Sequence, residues 1–419
     1  MAQREIYTYA HWKGLKDPFL MGVLRANQSK GKEVFSFEYS KEWLSSGYSQ
    51  SLDPDLKYFA GQQYVSEGKE NFGIFLDSSP DRWGRTLMKR REIVIARKEE
   101  RKPRTLLETD YLLGVFDGQR MGALRFKDNI EGPFLDDNSR LASPPWTSLR
   151  ELENASLKLE KDTAFEDPNY LMWLNMLMAP GSSLGGARPK AGVIDVDKHL
   201  WIAKFPSGND DRDIGAWEMV VIDLAKKAGL TVAESMIKKF SKKHHTFLTK
   251  RFDRTDTGER IHFASAMTML GYTDGADAQN GVSYLELVEF LMRCGADINN
   301  DLKELWRRIV FNICVSNTDD HLRNHGFLLT DAGWILSPAY DMNPIEDATG
   351  LKLNINDDDN SLELDLAMEV AEHFRLDKVK AETIIKSVKD SVKDWRKVAG
   401  KYKIPKSEQE VMSKAFLED

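Results

Sequence analysis

The sequence predicts an α+β protein in two lobes, β-rich in its first half and mostly α-helical in its second. Three observations predict it. Short alternating segments broken by Gly, Pro and Asp-Pro turns run over residues 6–75. Two strand-like segments, 191–196 and 199–205, close a hairpin over the polar residues 195–198. From about residue 281 to the end the apolar spacing is helical, with one loop- and strand-like interruption at 317–359.

Composition is that of an ordinary soluble chain: 419 residues, 41% apolar, 30% charged, with 59 Lys and Arg against 66 Asp and Glu for a net charge of −7. At about 150 residues per domain this length gives two or three domains, and it excludes a fibrous or wholly disordered chain. The negative charge argues against a stand-alone nucleic-acid coat, which needs a positive field to displace counterions from phosphates. Contact with DNA through a basic partner stays open. The two cysteines, Cys294 and Cys314, sit in apolar helix-like contexts, too few for a disulfide framework or a cysteine metal site, and they point to a reducing compartment. The N-terminal residues lack the apolar core of a signal peptide. The longest apolar stretch, 170–179, is about half a membrane span and carries Asn175. The expectation is a cytoplasmic protein with no membrane association.

Along the chain the expected domains are 1–145, 146–254 and 255–419. Between Arg85 and Arg104 nine cations face three acids, which reads as a solvated helix face or as a patch for an acidic partner or DNA. Apolar and polar residues alternate over 112–126 about Asp117-Gly118, a hairpin signal. A linker is placed at 136–145. A helix is expected over 214–227, ending at Gly229, and a strand over 246–252.

Three separated segments carry chemistry. The first, 182–190, pairs Gly185 with Gly186 beside Ala187, Arg188 and Lys190. Such glycines let backbone N–H groups approach an anion, although the turn matches no standard phosphate-loop pattern and also reads as a tight loop. The second is Lys204, a cation among large apolar strand residues. A buried ammonium needs a partner, and Glu218 on the following helix supplies the strand-Lys to helix-Glu pair that orients phosphates in protein kinases; the alternative is a lysine snorkelling from a strand end. The third is 314–329, where Asp319 and Asn324 stand five apart, the offset of the kinase catalytic loop. There a carboxylate orients the attacking hydroxyl and an amide oxygen reaches Mg²⁺. Seventeen residues later Asp341 takes the place of the following metal-binding Asp. Hard oxygen ligands favour Mg²⁺ over zinc. Two other readings remain: a turn-capping cluster, and a metal-dependent phosphoesterase using His321 and His325 with Asp319 or Asp320.

These residues together resemble the HipA family of bacterial serine/threonine kinases, toxins of type II toxin–antitoxin modules. Residues 183–190 look like its Gly-rich loop, 250–254 like its hinge, 317–324 like its catalytic loop, Tyr340-Asp341 like its metal-binding motif, and 77–85 like part of its added N-terminal subdomain. The resemblance spans essentially the whole chain. It implies a two-lobed protein-kinase-like fold using ATP and Mg²⁺, with Lys204 orienting phosphates, Asp319 as catalytic base, Asn324 and Asp341 as Mg²⁺ ligands, and backbone around Arg251 and Phe252 holding adenine. It further implies autophosphorylation at Ser183, with Ser182 beside it as an alternative acceptor, which adds about −2 charge near the nucleotide and switches the kinase off. Growth arrest and persistence through phosphorylation of a cytoplasmic target such as an aminoacyl-tRNA synthetase, and a HipB-like DNA-binding antitoxin, follow from the same resemblance. The rival from another class is a non-catalytic nucleotide-binding corepressor acting through that antitoxin. Residues 265–269 depart from the Gln-Glu-Asp-like stretch of some members.

Overall fold

A computed structural model of the chain describes residues 3–29, 31–48, 50–138, 143–161, 164–178, 188–241 and 243–417. The chain divides into two compact units, residues 1–208 with 253–264, and residues 209–252 with 265–419.

The first unit carries the β-rich segment expected at its start, as a five-stranded antiparallel sheet in the order β4-β3-β2-β1-β5. Its strands are β1 (Gln3–Ala10), β2 (Phe19–Ser29), β3 (Lys32–Tyr39), β4 (Gln63–Tyr64) and β5 (Leu124–Lys127), with the short helices α1 (Lys41–Ser45) and α2 (Gly73–Asp77) between. Period-two alternation sets one face inward. Ile6 pairs with Leu24 and Leu24 with Phe37, and all three are wholly buried. Phe75 closes this core, its ring 5.7 Å from Phe37 and 5.9 Å from Phe126.

The helices α3 (Arg82–Lys98) and α4 (Glu108–Leu113) follow. The hairpin expected over 112–126 does not form. The segment instead runs from the end of α4 through a 3₁₀ turn at Asp117–Gln119 into β5, which pairs with β1. The cause is Arg120, wholly buried, whose guanidinium donates to the carbonyls of Ser78 (2.9 Å), Leu112 (2.7 Å), Val115 (3.0 Å) and Leu135 (3.1 Å). Four carbonyls from separate segments outweigh a local turn preference. Three cations of the basic run, Arg85 on α3 and Arg101 and Arg104 just beyond it, are paired within their own unit. Arg85 forks onto Glu108 at 2.5 and 2.7 Å, and Arg101 and Arg104 converge on Glu92. The unit also holds α5 (Leu149–Leu159), α6 (Tyr170–Leu177) and the expected hairpin, β6 (Lys190–Ile194) with β7 (Leu200–Lys204), whose register sets Lys190 opposite Lys204.

The second unit opens on α7 (Ile214–Lys227), with the bounds the sequence predicts. Asp213 caps it, accepting from the Ala216 N–H at 3.2 Å, and Gly229 takes φ +82° beyond its end. At Gly215 a Cβ would lie 2.5 Å from the His245 carbonyl, so only glycine lets α7 pass the chain entering β9 (Thr246–Lys250), the second strand of a hairpin with β8 (Ser235–Lys238). The chain re-enters this unit through β10 (Phe263–Ser265) and α8 (Ala266–Met269). The rest is mostly helical, as expected: α9 (Tyr284–Cys294), α10 (Ile298–Val315), α11 (Leu364–Glu369), α12 (Lys378–Val392), α13 (Trp395–Lys401) and α14 (Lys406–Met412), interrupted by the hairpin β11 (Gly326–Thr330) with β12 (Gly333–Leu336). Helix α10 is the core of the unit, with Leu305, Trp306, Ile309, Val310 and Phe311 wholly buried. Both cysteines are free thiols. Among the described residues no helix is long and apolar enough to cross a membrane.

Candidate active site

Helix α10 ends at Ser316 in the left-handed conformation, φ 47°, and residues 317–325 form turns before β11 begins. Along this loop the two adjacent carboxylates part company: Asp319 is exposed and Asp320 is 4% exposed. Asp320 Oδ2 accepts the Tyr284 hydroxyl at 2.5 Å and the Asn312 amide at 2.7 Å, and His325 Nε2 lies 2.8 Å from the same oxygen. Burial alone would raise the Asp320 pKa, but His325 and these hydrogen bonds hold it below the usual carboxylate value. Asp320 thereby fastens the loop to α9 and α10 and, through His325, to its own far end.

Asn324 is 4% exposed, and its Nδ2 donates to the Asp319 carbonyl at 2.9 Å. Its Oδ1 is buried with no hydrogen-bond partner among the described residues. Asp341 takes φ 59°, a left-handed conformation rare for a residue with a side chain. Three hydrogen bonds tie its segment to the loop: Tyr340 hydroxyl to Arg323 carbonyl (2.7 Å), Asn343 N–H to Asn317 Oδ1 (3.0 Å), and Ile345 N–H to Ser316 carbonyl (3.1 Å). The Phe252 ring lies 5.4 Å from that of Tyr340, and Arg251 beside it is buried. An unpartnered amide oxygen with a carboxylate on a tied segment is a donor set that fits a hard divalent cation such as Mg²⁺. A cavity of about 200 Å³ opens beside Asp319, lined also by Met267, Asp274, His321, Arg323 and Lys352.

The two histidines do not share a helical face, since the loop is not helical, and His325 is 1% exposed and committed to Asp320. The arrangement a two-histidine phosphoesterase needs is therefore missing. Among the described residues, the His and Asp group with ligand atoms within 4.8 Å of one another is Asp195, Asp197 and His199, at the turn of the β6–β7 hairpin.

Lys190 and Lys204 belong to the first unit. Lys190 is 5% exposed, its Nζ 2.8 Å from Asp81 Oδ2, while the Trp83 indole donates to the Lys190 carbonyl at 3.1 Å. Lys204 is half-buried at the end of β7. Glu218, on α7 of the second unit, is 2% exposed. Ser182, Ser183, Gly185, Gly186 and Ala187 lie outside the described residues. Sequence reasoning missed Asp320, Tyr284 and Asn312 as holders of the loop, and Asp81 as the partner of Lys190. Ser-Pro-Asp-Arg-Trp-Gly spells a helix N-cap, and Asp81 does accept the Gly84 N–H at 2.8 Å, but nothing in that pattern points to Lys190.

A family model described as the HipA-like C-terminal domain matches residues 182–395. Among curated relatives, a Haemophilus influenzae protein named "Putative kinase" is 27% identical over 179 residues, 38% of this chain and 52% of its own length. The Shewanella oneidensis serine/threonine-protein kinase toxin HipA is 27% identical over 143 residues, 30% of this chain and 33% of its own length. The chain thus spans about half or less of the length of these curated relatives. A chain of the solved Shewanella oneidensis complex of HipA, HipB and operator DNA matches with a TM-score of 0.61 at 18% identity, over 98% of this chain and 94% of that chain. That likeness is one of fold, and it agrees with the α+β, kinase-like class read from the sequence. With the family model matched across half of its length, the chain belongs to the HipA family.

Proposed function

We propose that the chain is an ATP- and Mg²⁺-dependent protein serine/threonine kinase, the toxin of a HipA-like toxin–antitoxin module. The observation that carries this reading is the catalytic loop. Exposed Asp319 is followed five residues later by Asn324, whose buried amide oxygen has no hydrogen-bond partner among the described residues, and their loop is tied through Arg323 and Asn317 to the segment of Asp341.

In this reading Asp319 accepts or orients the proton of the attacking hydroxyl, within the cavity beside it. Asn324 Oδ1 and the Asp341 carboxylate hold Mg²⁺, which when bound neutralises charge on the transferring phosphoryl group. Lys204 orients the phosphates, Gly185, Gly186, Ala187 and Lys190 belong to the Gly-rich segment, and backbone at Arg251 and Phe252 receives adenine. Positioning and charge neutralisation supply the rate. Self-phosphorylation at Ser183 or Ser182 places like charge beside the nucleotide and switches the enzyme off.

The solved complex that this fold resembles contains HipB and operator DNA, which supports a HipB-like antitoxin as partner and contact with DNA through it. The substrate is a protein in translation such as an aminoacyl-tRNA synthetase, and growth arrest is the outcome. Peptide mapping after incubation with ATP and Mg²⁺ tests the reading. Phosphate on Ser182 or Ser183 is the expected result, and a chain that neither gains phosphate nor binds ATP would remove it.

A further inference from the structure

The turn of the β6–β7 hairpin brings together the side chains of Asp195, Asp197 and His199, none of which the proposed reaction uses. The strand register ends with Ile194 opposite Leu200, so Asp195 and His199 face each other at the mouth of the turn, and the Asp195 N–H donates to the His199 carbonyl at 3.1 Å. The side chains of Asp195 and His199 are 16% and 22% exposed and Asp197 is exposed, so an ion in solvent reaches all three.

Asp195 is the fixed member. Its Oδ1 accepts the N–H groups of Asp197 (2.9 Å) and His199 (2.8 Å), and its Oδ2 accepts the Trp201 indole N–H at 2.8 Å. Trp201 is 4% exposed and packs edge-on against Trp146, which holds the carboxylate from behind. Burial alone would raise the Asp195 pKa, but the bonds from Trp201 and His199 keep it below the usual carboxylate value. His199 Nδ1 lies 3.2 Å from the same Oδ2. That is longer than the about 2.7–2.9 Å of a charge-assisted hydrogen bond, and it matches the roughly 3.0–3.4 Å between two donors that share one ion at about 2.1 Å. On the far side of the ring, Nε2 faces Asp256 Oδ1 at 3.7 Å. A carboxylate behind an imidazole keeps the ring proton on that side and leaves the opposite nitrogen with its lone pair, as in histidines that bind metals. The Asp197 carboxylate has no hydrogen bond or ion pair among the described residues, and neither it nor Asp195 pairs with a Lys or Arg there. Two carboxylates beside one imidazole therefore lack a counter-charge.

We propose that this turn binds one Zn²⁺ ion through His199 Nδ1, Asp195 Oδ2 and the Asp197 carboxylate, with water completing the shell. An imidazole among the ligands selects a borderline ion over Mg²⁺ and Ca²⁺, which prefer oxygen alone. Oδ2 of Asp195 keeps the Trp201 bond on one lone pair and gives the other to the ion. The ion is a clamp on the turn and takes no part in phosphate transfer: it joins the two ends of the turn, while Lys190 and Lys204 stand at the opposite end of the hairpin.

Isothermal titration calorimetry of the full chain, stripped of metal with EDTA and free of nucleotide, against zinc chloride and separately magnesium chloride tests the proposal. Zinc is expected to bind with a dissociation constant of about 10 µM or below, and magnesium at least about a hundredfold more weakly. Asp197→Asn and His199→Ala should each weaken zinc about tenfold or more. The Asp197 carboxylate holds nothing else in place, so Asp197→Asn should keep the wild-type urea midpoint in the absence of zinc, which separates a lost ligand from a lost fold. A wild-type chain that takes up no zinc, or a zinc affinity unchanged by either substitution, would overturn the proposal. The titration contains no ATP, so it succeeds or fails independently of the kinase reading.

Discussion

The Tyr340 hydroxyl donates to the Arg323 carbonyl at 2.7 Å, joining the residue before Asp341 to the residue before Asn324. Each candidate metal ligand is thus one peptide bond from the same hydrogen bond. Supports of this kind set the geometry of ligands they do not touch. Tyr340→Phe should cost about 1 kcal/mol of stability and raise the Mg²⁺ concentration needed for half-maximal phosphate transfer about tenfold. A Mg²⁺ titration at saturating ATP checks it.

Asp320 carries three hydrogen bonds in a nearly dry setting, so removing its charge strands Tyr284, Asn312 and His325 together. Asp320→Ala should lower stability by about 2–4 kcal/mol, read as a lower urea midpoint. Its pKa lies below that of an unfolded Asp, so its stabilisation is fully present above about pH 4 and is lost as pH falls through the lower folded value. The gap between wild type and variant should therefore shrink in acid.

The Asp81–Lys190 pair is buried on both sides, 3% and 5% exposed. Removing one partner takes a 2.8 Å ion pair from a buried charge, whereas removing both takes the charges away as well. Asp81→Leu and Lys190→Met singly should each cost about 3–5 kcal/mol, and the double variant should cost less than the sum. A double-mutant cycle in urea measures the difference.

Asp301 titrates in the opposite sense. Its folded pKa of about 6 lies above the unfolded value, so the folded state binds the extra proton between about pH 4 and 6. Ionised Asp301 therefore opposes folding above pH 6, and this cost fades as pH falls. Asp301→Asn should be more stable than wild type at pH 7 by on the order of 1 kcal/mol, allowing for the partial hydration of the group, and equal to it near pH 4. Urea midpoints across that range read the convergence.

What was legible in the sequence was local. Helix α7 announces both its ends, through Asp213 and Gly229, and its interior has the right period. The β6–β7 hairpin and the candidate catalytic loop are also contiguous patterns, as is the offset of Asp319 from Asn324. Long-range pairings left no such trace. Nothing local in the sequence joins Lys190 to Asp81, 109 residues earlier, against which its ammonium lies. Asp117-Gly118 looks like a hairpin turn until Arg120 gathers carbonyls from Ser78 to Leu135. Asp319 and Asp320 are adjacent and chemically identical, and their roles separate only through packing, because the loop turns one toward solvent and the other onto Tyr284.

That separation is the most direct test of the account. Single-turnover phosphate transfer from ATP to the chain, followed by intact mass in wild type and Asp319→Asn, with Mg²⁺-ATP affinity measured in parallel, isolates the exposed carboxylate. The account predicts that Asp319→Asn keeps the nucleotide affinity of wild type but loses transfer by a factor of about 10² or more. Transfer that survives Asp319→Asn at the wild-type rate would contradict it.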